Sequence, residues 1–159
     1  MGLWADTINK LKDVLDTAIG GGQPLAYFSI VHFGELDTIT TLTPPYLWLH
    51  LDDAPVSEDW HAAQDRRRAV FTCLVSCVVR PQDVSRPYGV TGDTTKRGVL
   101  VGVADVMNEI ENQRAGLIAA NAANIDMNLG VRSVANIGDR YFEGVITVEF
   151  KQRFGAKGR

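Results

Sequence analysis

Residues 131–154 read VRSVANIGDRYFEGVITVEFKQRF, and this stretch decides the fold. Within it Ile146, Val148 and Phe150 alternate with Thr147, Glu149 and Lys151, the period-two pattern of a strand with one buried face. A second apolar-rich run fills residues 131–137, and Gly138-Asp139 lies between the two runs as a turn signal. The stretch therefore predicts a hairpin of strands 131–137 and 141–154. Strands that follow one another directly pair antiparallel, whereas a doubly wound sheet needs a helix between each strand and the next.

Upstream of the hairpin, Val99, Leu100, Val103, Val106, Met107 and Ile110 share one stripe over residues 96–113. That spacing predicts an amphipathic helix, with Asp93, Thr94 or Thr95 as its N-cap. For residues 115–130 two readings stay open, a further helical turn or an Asn-rich loop. Residues 69–79 predict a long strand with Phe71, Cys73, Val75 and Cys77 on one face and Val70, Thr72, Leu74 and Ser76 on the other. Strands are also expected at 46–51 and at 25–33, the latter rich in aromatic and β-branched residues. At the start, Trp4, Ile8, Leu11, Leu15 and Ala18 recur at helical spacing over residues 3–19, and Gly20-Gly21-Gly22 followed by Pro24 is a stop signal.

The remaining segments read as connections. Residues 34–45 are Thr-rich and carry Pro44-Pro45; residues 52–68 are polar and carry Pro55; residues 80–95 hold Pro81, Pro87, Gly89 and Gly92. The order helix, three strands, helix, two strands predicts an α+β fold. It is a mostly antiparallel or mixed sheet of about 4–5 strands, with two helices packed on one face and long projecting loops. Phe71, Val75, Ile146, Val148 and Phe150 are expected to face Leu11, Leu15, Val103 and Met107.

A chain of 159 residues, 45% hydrophobic and 22% charged, fits a single domain over 1–159 with 155–159 as a frayed tail. Sixteen basic residues against 19 acidic give a net charge of −3, which disfavours a general grip on nucleic acid. A slightly acidic chain still suits a channel that lets DNA pass without sticking. No run approaches the roughly 18 to 20 apolar residues of a membrane span, and the N-terminus does not read as a signal peptide. A cytoplasmic place of assembly and no membrane contact are expected.

Little in the sequence points to chemistry. The glycines at 20–22 follow a helix and precede a strand, the reverse of a phosphate-binding loop, and read as a helix cap plus turn. His32, His50 and His61 form no close metal-ligand pair, though His50 stands near Asp52 and Asp53. Cys73 and Cys77 lie about 13 Å apart along one strand face, too far for a disulfide, and read as small buried apolar side chains. Paired acids at Asp52-Asp53, Glu58-Asp59 and Glu109-Glu111 read as solvated faces. No catalytic, metal or cofactor residue is assigned, and the chain is not expected to be an enzyme. What remains is a set of candidate interface residues on the two long connections: Trp60, Arg66, Arg67, Arg68 and Tyr88.

The arrangement resembles the small tail-terminator, or tail-completion, proteins of long-tailed bacteriophages. The features that carry the likeness are the helix 3–19, the strand 25–33, the Pro44-Pro45-Tyr46 entry to a second strand, the long strand 69–79, the helix 96–113 and the final strand within RYFEGVITVEF, residues 140–150. The resemblance implies a ring homo-oligomer, commonly a hexamer, that caps the tail tube, stops its polymerisation and joins it to the head-tail connector protein. Its partners would be itself, the tail tube protein and that connector, with DNA only as passing cargo, in the tail or neck of the virion. Another virion part, such as a head-completion, connector or baseplate protein, is the alternative. A small-molecule-binding domain or enzyme would have to rest on residues 115–130 and the His50 to Asp53 stretch.

Overall fold

The computed structural model describes residues 3–34, 44–61, 66–80, 98–119, 125–137 and 141–155. They form α1 (Leu3–Ala18), β1 (Val31–Phe33), β2 (Tyr46–His61), β3 (Arg66–Val79), α2 (Val99–Asn112), α3 (Arg114–Ala119), β4 (Ile125–Ile137) and β5 (Tyr141–Gly155). The strands make one five-stranded sheet in the order β1-β2-β3-β5-β4. β1 runs parallel to β2 and the other neighbours are antiparallel, so the sheet is mixed, as the run of consecutive strands implied.

All three helices bury their apolar stripes on one face of this sheet. Ile8, Leu11, Leu15 and Ala18 of α1 and Val99, Val103, Val106 and Ile110 of α2 meet Phe71, Val75, Ile146, Val148 and Phe150. This is the core expected from the alternation, with Met107 partly buried at its margin. Two glycines let the layers close. A Cβ on Gly144 of β5 would stand 2.2 Å from Val103 Cγ2, and one on Gly102 of α2 would stand 3.3 Å from the Phe28 ring.

Five expectations are corrected. Residues 25–33 are not one strand: Leu25 N bonds Ala18 O at 2.9 Å and Phe28 N bonds Leu25 O at 3.0 Å, so the chain turns back on the end of α1 and only Val31–Phe33 pair. The aromatic content there serves packing, with Tyr27 OH donating to Asp105 Oδ2 of α2 at 2.8 Å. Residues 52–68 are not an irregular loop. β2 runs to His61 and β3 starts at Arg66, paired from Val56↔Phe71 to His61↔Arg66, with 62–65 outside the described residues. The polar composition hid a ribbon, because its backbone bonds come from the partner strand, and Pro55 falls inside the register shift between Leu51 and Val56, where a missing N–H costs no ladder bond.

The third correction concerns α2, whose N-cap is Gly98 with no side-chain cap bond; Asp93, Thr94, Thr95 and the rest of 81–97 lie outside the described residues. The fourth extends the hairpin: β4 begins at Ile125, so the strand expected from 131 starts earlier, after the short helix α3. Met127 is buried and Leu129 partly buried while Asp126 and Asn128 point away, an alternation thinned by its Asn and Gly neighbours. Arg114 ties that region together, clasping both Glu111 carboxylate oxygens at 2.7 and 2.9 Å and donating to Met127 O at 2.6 Å. Gly155, expected in the tail, pairs with Arg66.

The second face of the sheet carries no helix among the described residues, yet it is not simply polar. Tyr46, Trp48 and Val78 form a buried cluster with Tyr141 against it, and Ser76 is fully buried between them and His50.

Candidate functional site

Where β1 ends, the edge of β2 is left beside an open cleft of about 700 Å³. The cleft lies within the roughly 300–1,000 Å³ range of ligand pockets. Its floor is Trp48, His50 and Leu74, its apolar wall Phe33 and Leu51, and its polar rim Asp52, Asp53 and Arg132. The Trp48 and His50 rings stack with centroids 3.6 Å apart and planes 12° from parallel. Trp48 Nε1 donates to Gly34 O at 2.7 Å, and His50 Nε2 lies 3.0 Å from Ser76 Oγ. Burial holds the His50 imidazole below its usual pKa, against the opposing pull of the Leu51 backbone and the Asp52 charge.

The rim is closed by an ion pair between strands that are not neighbours. Arg132 Nη1 reaches Asp52 Oδ1 at 3.0 Å, although β3 and β5 separate β2 from β4. Both residues stand at register shifts, Leu51/Val56 in β2 and Val131/Ser133 in β4, and such irregularities turn side chains away from the regular pleat. The Arg132 hydrogen bond, with a second from Asp53 N at 2.9 Å, holds the Asp52 carboxyl below its ordinary pKa. Nothing in the sequence marked Arg132 or Phe33 for this place, because the pairing depends on strand order.

The second feature is the far end of the ribbon. Ala69 is buried, and beyond it the strands continue through the rows Asp59–Arg68–Arg153, Trp60–Arg67–Phe154 and His61–Arg66–Gly155. Four of the five candidate interface residues, Trp60, Arg66, Arg67 and Arg68, thus share one end of the sheet, joined there by Arg153 and Phe154 of β5. Tyr88 lies outside the described residues. No protein-family model matches this chain, and no curated protein matches it either.

The other groups singled out from the sequence take plainer places. Cys73 and Cys77 are free and buried on the helix-facing side; burial pushes the Cys73 thiol up to about 12 and the Cys77 thiol further. A thiolate is the reactive form, so neither is poised as a nucleophile. Among the described residues no three His, Cys, Asp or Glu side chains gather as a metal-binding set. Also among the described residues, no helix is long and apolar enough to cross a membrane.

Glu143, on the same face as Tyr46, is a half-buried acid displaced by desolvation. Burial raises its carboxyl above the ordinary value, and the Tyr46 phenol is raised too, by burial first and then by Glu143. An acid with a raised folded pKa favours folding fully below its unfolded value of about 4.3, and that contribution is lost as pH climbs through the folded value. Glu143→Gln is therefore expected to leave stability nearly unchanged in acid and to raise it progressively toward neutral pH. Thermal melts of both proteins across that range read the difference; a gap independent of pH would count against the assignment.

Proposed function

We propose that this chain is a structural virion protein that closes into a ring, a hexamer by analogy with tail terminators, at the end of a phage tail tube. There it stops tube growth and joins tail to head connector, with DNA passing through the lumen. In this reading the chain does no chemistry, and its place is the tail or neck of the particle, after assembly in the host cytoplasm.

The observation that supports the reading is the unbroken pairing of β2, β3 and β5 out to Arg66↔Gly155, whose last register rows hold Trp60, Phe154, Arg66, Arg67, Arg68 and Arg153. Tryptophan and arginine are the residue types that most often anchor protein interfaces. Such residue types in register at one end of the sheet suit a head-to-tail contact that closes by rotation. The chain's net charge of −3 fits a lumen that does not hold DNA.

Native mass spectrometry and negative-stain microscopy of the whole chain test this. A closed ring is expected; a monomer at every concentration sinks the reading. Reversing Arg66, Arg67 and Arg68 to Glu is expected to leave the circular dichroism spectrum unchanged, since solvent-screened charge pairs contribute about 0–1 kcal/mol. The same change should dissolve the ring, because interfacial charges set register and partner choice. Intact rings from a folded triple variant would remove the ribbon end from the interface. A normal ring that fails to cap tails but completes heads or baseplates would assign the chain to that other part of the virion.

A further inference from the structure

We propose that the cleft beside β1 is a binding site for a small planar cation, an amidinium or guanidinium carried on a flat apolar body. The site is complete within one subunit, so it does not depend on the ring reading above.

Charge selects the sign of the ligand. Two carboxylates, Asp52 and Asp53, line the cleft against one guanidinium, that of Arg132. Arg132 is taken by Asp52 at 3.0 Å, and Asp52 also accepts from the Asp53 backbone N–H. The surplus negative charge therefore rests on the exposed Asp53. His50 adds no opposing charge at neutral pH, since burial holds its imidazole below its usual pKa. An anion entering here meets a like charge and a guanidinium already paired. A metal ion has no cage either, because among the described residues no three His, Cys, Asp or Glu side chains gather.

The interior selects a flat body. Trp48 Nε1 donates to Gly34 O at 2.7 Å, and His50 Nε2 lies 3.0 Å from the fully buried Ser76 Oγ, so these polar atoms are engaged within the protein. The lining that remains is ring and hydrocarbon. The half-buried His50 imidazole is stacked on the buried Trp48, and Phe33 and Leu51 of the wall are 44% and 47% exposed. Aromatic faces attract a cation through their quadrupole, and a planar cation can also stack on them. Guanidinium-type cations are more weakly hydrated than an ammonium, so they lose less on leaving water for an apolar wall.

Ligand-observed NMR titration of the whole chain tests the site, because it reads weak binding to a monomer and to a ring alike. The probe is benzamidine, a flat ring bearing an amidinium. A dissociation constant on the order of 1 mM is expected for so few atoms. Benzamide, the same shape without the charge, is expected to bind at least about threefold more weakly, and benzoate more weakly still. Cyclohexanecarboxamidine, which keeps the charge and loses the flat ring, is expected to be weaker by a similar factor. Asp53→Asn should weaken benzamidine roughly two- to fivefold, the range of an exposed ion pair. Arg132→Gln releases Asp52 and should tighten it by a similar factor. Asp13→Asn, the same loss of charge at an exposed position of α1, should leave it unchanged.

Equal binding of benzamide or benzoate overturns the charge assignment, and equal binding of cyclohexanecarboxamidine overturns the aromatic one. An affinity indifferent to Asp53→Asn and Arg132→Gln, or lowered as much by Asp13→Asn, puts the cation elsewhere and the proposal falls. It falls too if benzamidine shows no saturable binding at all. Circular dichroism checks the fold of each variant. Should Asp53→Asn not fold, Phe33→Ser probes the same cleft through its exposed wall; weaker benzamidine binding is expected, and unchanged binding would overturn the proposal. None of these outcomes touches the ring reading, which particle mass decides.

Discussion

Replacing Phe150 by alanine is expected to remove about 3–5 kcal/mol of stability. Phe150 is fully buried at the centre of one row of the sheet, with Phe71 on β3 beside it and Met127 on β4 at its other side. All three side chains lie under the helices in a single cluster, so a cavity at Phe150 has packed walls that cannot readily collapse. Since domains are typically stable by only about 5–15 kcal/mol, the variant should be partly unfolded near body temperature or melt far below the wild type. Val131→Ala is the control: that residue is 53% exposed, and a change of no more than about 0.5 kcal/mol is expected. Urea titrations measure both. A loss below about 1 kcal/mol at Phe150 would deny it the central place in the core described above.

Adding one methyl group at Gly144 is the second large effect, and it works by excess rather than loss. The new Cβ would lie 2.2 Å from Val103 Cγ2 and 3.0 Å from Val99 Cγ2, well inside van der Waals contact. Valine on a helix has essentially one side-chain rotamer, so Val103 cannot swing aside and α2 must lift from β5. Overpacking of this kind typically costs about 1–3 kcal/mol, and the tightness here places Gly144→Ala at the upper end. The clash makes a specific second-site expectation. Val103→Ala, destabilising by itself, should recover part of the loss in the Gly144→Ala background, a coupling that thermal melts of the four proteins in the cycle quantify. Strict additivity of the two changes would show that α2 does not sit on Gly144.

Legibility from sequence followed physical cause. Residues 146–150 read correctly because Ile146, Val148 and Phe150 are buried while Thr147 and Glu149 are only partly so, and residues 69–79 because a continuous β-rich run, buried on both faces over 73–79, suits a central strand. The stripes of α1 and α2 read correctly for the same reason at period 3.6. Reading failed where backbone pairing, not burial, sets structure. Residues 56–61 pair because β3 supplies their hydrogen bonds, and no apolar alternation records that. Residues 25–28 failed in the opposite sense: apolar and aromatic, they plug the space above Gly102 in a turn rather than pair in a sheet. The ribbon end was legible as a set of residues, Trp60 with Arg66, Arg67 and Arg68, but not as a row, and Arg153 and Phe154 joined it only through β5. The cleft stayed hidden because the Asp52–Arg132 contact spans two intervening strands.

The order β1-β2-β3-β5-β4 also bears on how the chain reaches this state. β5 lies between two strands that both precede it, and its pairs with β3 run from Val79↔Phe142, the nearest in the chain, to Arg66↔Gly155, the farthest. Contacts this distant require a large loop to close before they return any stabilisation, and topologies rich in them fold slowly. While a ribosome is still making β5, the long strand β3 has one neighbour, β2, and an open edge toward the missing one. Nascent subunits at that stage have hydrogen-bonding groups to offer but lack Arg153 and Phe154 at the ribbon end. Until β5 is complete, that open edge of β3 is exposed to premature edge-to-edge pairing between nascent chains, the misassembly such a sheet has most to avoid.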